Sequence, residues 1–123
     1  MIKPETKLWH DLKKVTPQIS WTRLENSSVL GTPDLLGYNT FGTFFTVELK
    51  VISGYKLRLS PHQIAFHVKH PQHTFILAWK ASRREYKMFP GSSILTLVKD
   101  GFKSPAACDY GLVACGLYLQ NLQ

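Results

Sequence analysis

Acidic residues are scarce in this chain. Eight Asp and Glu stand against fifteen Lys and Arg over 123 residues, a formal charge of +7. A surplus of that size on a small domain points to a polyanionic partner. Nucleic acid leads, ahead of an acidic membrane surface or a merely solvated basic face. Cysteine is scarce too: Cys108 and Cys115 are the whole complement, and they form no CxxC pair. That excludes a disulfide framework and a structural zinc cluster, so both read as reduced thiols in an intracellular protein. No apolar run approaches the length of a membrane span, and Met1-Ile2-Lys3-Pro4-Glu5 lacks the apolar core of a signal peptide. Internal repeats, low-complexity stretches and interdomain linkers are missing as well, which leaves a single domain over 1–123.

What is present reads as alternating helices and strands. Pro4 and Glu5 suit a helix start, and Leu8, Trp9 and Leu12 recur at helical spacing as far as Lys14, before Pro17. Ile19 to Leu24 and Asp34 to Tyr38 read as strands, separated by Asn26-Ser27-Ser28 and the turn Gly31-Thr32-Pro33. Asn39 to Gly42 forms a hairpin loop into the clearest strand, Phe44 to Ile52. Its Phe45, Val47, Leu49 and Val51 share one face, and Phe44, Thr46, Glu48, Lys50 and Ile52 share the other. Ser60-Pro61-His62-Gln63 announces a helix running to about His70, with Ser60 as N-cap and Gln63 completing a capping box. Thr74 to Lys80 and Glu85 to Phe89 read as a hairpin across Ser82-Arg83-Arg84, and Ser92 to Lys99 as a helix closed by Gly101. Ser104-Pro105 predicts a last helix, with Cys108, Leu112, Cys115, Leu119 and Leu122 as its buried stripe. This order predicts an α/β fold, a mixed central β-sheet flanked by helices.

The chemistry lies in Glu48-Leu49-Lys50. Alternation places Glu48 and Lys50 side by side on one face of an otherwise apolar strand, where charges are costly unless paired or bound to a metal. If the strands before and after Asn39–Gly42 pair, Asp34 comes near Glu48. Two carboxylates hold a hard cation such as Mg2+ through oxygen, with Mn2+ as a substitute. A neighbouring lysine then offsets charge developing on a phosphoryl group. An ion pair on a half-exposed strand accounts for Glu48 and Lys50 equally well when the triplet is taken alone.

Pro33-Asp34 followed by Glu48-Leu49-Lys50, in this order of elements, resembles the PD-(D/E)xK nuclease superfamily. Within it the chain is most similar to the virus-type replication-repair nuclease (VRR-NUC) domain and the archaeal-type Holliday junction resolvases. Gly31-Thr32-Pro33-Asp34, Val47-Glu48-Leu49-Lys50 and Leu59-Ser60-Pro61-His62-Gln63 carry the likeness, which covers roughly residues 1–80. The resemblance implies a restriction-endonuclease-like core and a structure-selective DNA endonuclease, a Holliday junction resolvase first. A restriction, homing or DNA-end nuclease, or a non-catalytic DNA-binding module, is the alternative. It implies Asp34 and Glu48 as metal ligands with the Leu49 carbonyl, and Lys50 as the catalytic lysine. It also implies a place for Gln63 at the site, which stands beside its capping role as an open alternative. The implied setting is the cytoplasm of a bacterium or of a phage-infected cell.

Glu5 is a further acidic candidate. It shares a helix face with Leu8, Trp9 and Leu12, and its separation from Asp34 is similar to that of the helix glutamate in archaeal-type resolvases. Its alternative is to complement the positive helix end. Lys56, Arg58, His62, Lys69, Arg83 and Arg84 are candidates for the DNA backbone. His62, His67, His70 and His73 match no zinc spacing, so DNA phosphate or plain exposure is the expectation. Ser27 and Ser28 are turn residues able to bond a phosphate. Junction cleavage on two strands requires a homodimer. The Cys108–Leu122 stripe and the Phe44/Phe45 strand are its candidate contacts.

Overall fold

The computed structural model describes residues 2–24 and 30–123. Ser27 and Ser28 lie outside the described residues. Five strands form one sheet in the order β1-β2-β3-β4-β5: β1 Ser20–Arg23, β2 Leu35–Tyr38, β3 Phe44–Ile52, β4 Thr74–Lys80 and β5 Glu85–Pro90. The β3–β4 pair is parallel and the other three pairs are antiparallel, so the sheet is mixed.

Helix α1 (Pro4–Val15) and helix α4 (Leu112–Gln120) cover one face. There Leu8, Trp9, Leu12, Cys115 and Leu119 pack with Phe45, Val47, Leu49, Phe75 and Leu77, the apolar face predicted for β3. Helix α2 (Pro61–Lys69) and helix α3 (Ile94–Asp100) cover the other face, where Ile52, Ile76, Ala78, Phe89, Ile94, Leu97 and Phe102 form a second cluster. Glu48 and Lys50 project to this second side.

Helix α2 is the crossover between the two parallel strands. It starts at the C-terminal ends of β3 and β4 and returns to their N-terminal ends. Its capping box is fully formed: Ser60 Oγ accepts from the Gln63 amide, and Gln63 Oε1 accepts from the Ser60 amide.

Gly31 is indispensable to the way Asp34 is delivered. Its φ is +83°, and a Cβ there would run into the carbonyl of His62 in the first turn of α2. The loop before Asp34 is thereby pressed against the start of α2. We expect Gly31→Ala to destabilise the fold by about 1–3 kcal/mol through the left-handed backbone alone, and by more through the collision. A lowered urea midpoint checks this; an unchanged midpoint would remove the packing argument.

The C-terminal third departs from the sequence reading. Ser104-Pro105 starts no helix. Ser104 Oγ donates to the Thr96 carbonyl instead of capping, and the amides of Ala107 and Cys108 bond the Met88 carbonyl on β5. The segment is held as a bridge along the sheet, Cys108 paired with Met88, and the helix begins only after Gly111 (φ +99°). Cys108, Cys115 and Leu119 are buried within the chain's own core, as is Phe45. These residues are therefore unavailable as dimer contacts; of the candidates named, Phe44 is exposed.

Candidate active site

The β2–β3 register ends at Leu35 opposite Val47, which brings Asp34 alongside the next stretch of β3. Asp34 Oδ2 accepts the Leu49 amide at 2.8 Å, taking over the ladder where β2 has stopped. In an antiparallel strand the N–H and C=O of one residue point to the same side. The Leu49 carbonyl thus shares the side from which Asp34 approaches.

Glu48 is buried, 3% exposed. Its Oε2 accepts from Gln63 Nε2 at 3.2 Å, while its Oε1 is buried without a partner. The Asp34 carboxyl lies within hydrogen-bond reach of it, and two ionised carboxylates have no proton to share. Burial first, then the charge of Asp34, pushes the Glu48 pKa from 4.5 up to about 9, against the opposing pull of Lys50.

Lys50 Nζ donates to Gln63 Oε1 at 3.1 Å. Gln63 thus caps α2, orients Lys50 and holds Glu48 with one amide group. Its capping role is realised, and the same side chain also bonds Glu48 and Lys50.

Glu5 sits in the first turn of α1, exposed, at the rim of the same groove. Its pKa is raised by desolvation and by Asp34, and lowered by Lys50 and Arg23, so it lies within the field of the site. Among the described residues, however, no three His, Cys, Asp or Glu side chains are gathered into a ligand group. Glu5 therefore does not join Asp34 and Glu48 in a preformed set of three carboxylates. A divalent cation fits the rest of the donor set: two adjacent carboxyls, one with an orphaned buried oxygen, and a backbone carbonyl on the same side.

Lys56 and Arg58 lie on the loop after β3, and line a groove with Glu5, Lys50 and Tyr55. His62 is exposed in the first turn of α2, beside the site. Arg83 and Arg84 are exposed at the C-terminal end of β4, the same end of the sheet, with Arg83 4.0 Å from Glu85. Lys69 is at the other end of α2, away from Gln63 and the Glu48–Lys50 pair. The histidines do not cluster. His67 is fully buried and its ring donates Nδ1–H to the Gln63 carbonyl, while His62, His70 and His73 are exposed. Sequence reasoning passed over Lys80, Lys87, Lys103 and Tyr55, which the fold assembles beside the groove from separate elements. No short motif contains them.

No protein-family model matches the chain, and no match was found among curated proteins. A solved structure does match: Archaeoglobus fulgidus Hjc, a Holliday junction resolvase from an archaeal hyperthermophile, with a TM-score of 0.53 and 21% sequence identity. The alignment covers 72% of this chain and 74% of that one. Identity at this level speaks for the fold alone. The chain therefore has a restriction-endonuclease-like, PD-(D/E)xK-like fold, a mixed central sheet flanked by helices, similar to that of an archaeal Holliday junction resolvase.

Proposed function

We propose that this chain is a metal-dependent DNA endonuclease that hydrolyses phosphodiester bonds in branched DNA, foremost the four-way junction. The observation that carries the reading is the buried Glu48 beside the half-buried Asp34, joined to Lys50 through Gln63, in a fold shared with a solved resolvase. Asp34, Glu48 and the Leu49 carbonyl would hold Mg2+, with Mn2+ as a substitute. When bound, the cation would supply Lewis-acid chemistry, polarising the phosphoryl oxygen and lowering the pKa of water. Lys50, oriented by Gln63, offsets negative charge developing at phosphorus. Glu5, at the rim, would add negative charge beside Asp34 and Glu48. Lys56, Arg58 and His62 contact the backbone beside the scissile phosphate, with Arg83 and Arg84 further along the same end of the sheet.

One active site per chain cuts one strand, so resolving a junction calls for a symmetric homodimer. Tyr38, Phe41 and Phe44 are exposed together around the β2–β3 turn and offer it an apolar contact, in which Tyr38 and Phe44 already pair at 4.4 Å. The test is cleavage with Mg2+ or Mn2+ of labelled four-way junction, flap, single-stranded and linear duplex DNA, with light scattering alongside. Preferential, paired nicking of the junction by a dimer is the expected result. Equal cutting of linear duplex would move the assignment to a general nuclease. Binding without cleavage under either metal would leave only a DNA-binding module.

A further inference from the structure

The register of the sheet carries a row of cations away from the active site. Lys50 is opposite Ala78, and Ala78 is opposite Lys87, so both lysines stand on the α2–α3 face with a small residue between them. Two strand spacings separate their backbones, about 10 Å. Lys80 lies one step further along the same face.

These cations are gathered around one aromatic ring and one turn. Lys80 Nζ is 3.9 Å and Lys103 Nζ 4.6 Å from the centre of the Tyr55 ring. Lys87 Nζ donates to the Phe102 carbonyl at 2.9 Å and lies 4.5 Å from the Phe102 ring. The turn Gly101–Lys103 is fixed to the loop after β3 by the Phe102 amide, which bonds the Tyr55 carbonyl at 2.6 Å. Gly101 (φ +64°) packs so closely on that carbonyl that a Cβ would collide with it.

Rings and a carbonyl hold the ammonium groups, and none of these partners is an anion. Among the described residues none of Lys80, Lys87 and Lys103 has an ion-pair partner. Two acids close to them in register or in sequence are otherwise placed: Glu85, opposite Lys80 in register, approaches Arg83, and Asp100 is exposed beside the turn. Tyr55 also lines the groove that contains Glu5, Lys50, Lys56 and Arg58, so the patch and the candidate active site are continuous. An unneutralised group of ammoniums, rigidly mounted next to a phosphodiester site, is suited to a second phosphate.

We propose that Tyr55, Lys87 and Lys103, with the buried Lys80 adding its charge from within the fold, form a second phosphate-binding subsite, which grips the DNA backbone to one side of the bond being cut. The turn after α3 is then a positioning element for DNA, and not merely packing. This rests on the nucleic-acid reading above, but not on catalysis.

The test is binding of labelled four-way junction and duplex DNA to the full chain, in EDTA, as a function of salt. Lys103 is exposed, so Lys103→Ala should fold normally, bind several-fold more weakly and lower the salt slope by about one unit. Tyr55→Leu, which removes the ring that holds Lys80 and Lys103, should reproduce that loss, while Tyr55→Phe keeps the ring and should bind as the unmodified protein does. Lys14→Ala removes the same charge at the far end of α1 and serves as the control. Unchanged binding by Lys103→Ala or Tyr55→Leu overturns the subsite, as does an equal loss from Lys14→Ala, which would make the effect one of bulk charge. DNA binding that depends on Lys103 in a chain that never cleaves DNA would sink the nuclease reading and leave the subsite standing.

Discussion

Glu48→Gln is expected to lose metal-dependent cleavage by at least about 10^3-fold while binding DNA as tightly as the unmodified protein or more so. A cation's hold on the phosphoryl transition state is worth several kcal/mol, and each ~1.4 kcal/mol is tenfold in rate. The glutamine fits the same space and donates to Asp34, so the fold should survive; in the metal-free state it replaces a carboxyl whose Oε1 has no partner with a group that needs no charge. Asp34→Asn should behave alike, although its loss of charge also weakens the acceptor for the Leu49 amide. Lys50→Ala should lose both rate and some affinity, because a cation is removed. Glu5→Gln should fall between these and the unmodified rate, with little change in thermal stability, since Glu5 lies at the rim. The comparison needs single-turnover rates and binding curves on the same preparations. A well-folded Glu48→Gln protein that cuts at the full rate would refute the assignment.

Metal affinity should rise about tenfold for each unit of pH up to about 9, the value to which burial and Asp34 push the Glu48 carboxyl. Below that pH Glu48 keeps a proton in the metal-free protein, and a cation must displace it. Close to one proton should therefore be released per metal bound, measurable by calorimetry in buffers of different ionisation enthalpy. The stability of the metal-free protein has the opposite trend. Its folded pKa lies above the ordinary value of 4.5, so the folded state binds the extra proton between these limits, and stability falls as pH rises from 4.5 to about 9. Saturating Mg2+ should flatten that slope, because the gain in metal affinity cancels it, and Glu48→Gln should abolish both the proton release and the slope. Affinity that is flat from pH 6 to 9 would mean that Glu48 is ionised before the metal arrives.

Much of this was legible because local rules and the tertiary structure agree. The period-two pattern of Phe45, Val47, Leu49 and Val51 fixed both the strand and the side that faces α1, and the polar pair stood out against it. The hairpin loop set the register that brings Asp34 to Glu48. The signals failed where the same letters met different neighbours. Ser104-Pro105 copies the Ser60-Pro61 helix start, but Ser104 is drawn to Thr96 and the following amides to Met88. Cys108 falls in the helical stripe by spacing, yet reaches the same core from a bridge beside β5. The histidines looked like a group because they are near in sequence; a helix turn sends His67 inward and leaves the others at the surface. The lysines around Tyr55 had no signal at all, since β4, β5 and the turn after α3 each contribute one.

Gln63 narrows the choices open to its own position. A capping box accepts glutamate in that place as readily as glutamine. Here the exchange would set a third carboxylate against Glu48 and remove the N–H that Glu48 Oε2 accepts, although Lys50 would welcome the charge. Asparagine keeps the amide but is one methylene too short to span from the Ser60 amide to both partners. Helix propensity alone would leave this site free to drift among several letters, whereas the polar groups on the strand below tolerate one. A library randomised at residue 63 should therefore separate two populations: variants that fold with an intact α2, which are many, and variants that also keep the electrostatic balance between Glu48 and Lys50, which are very few.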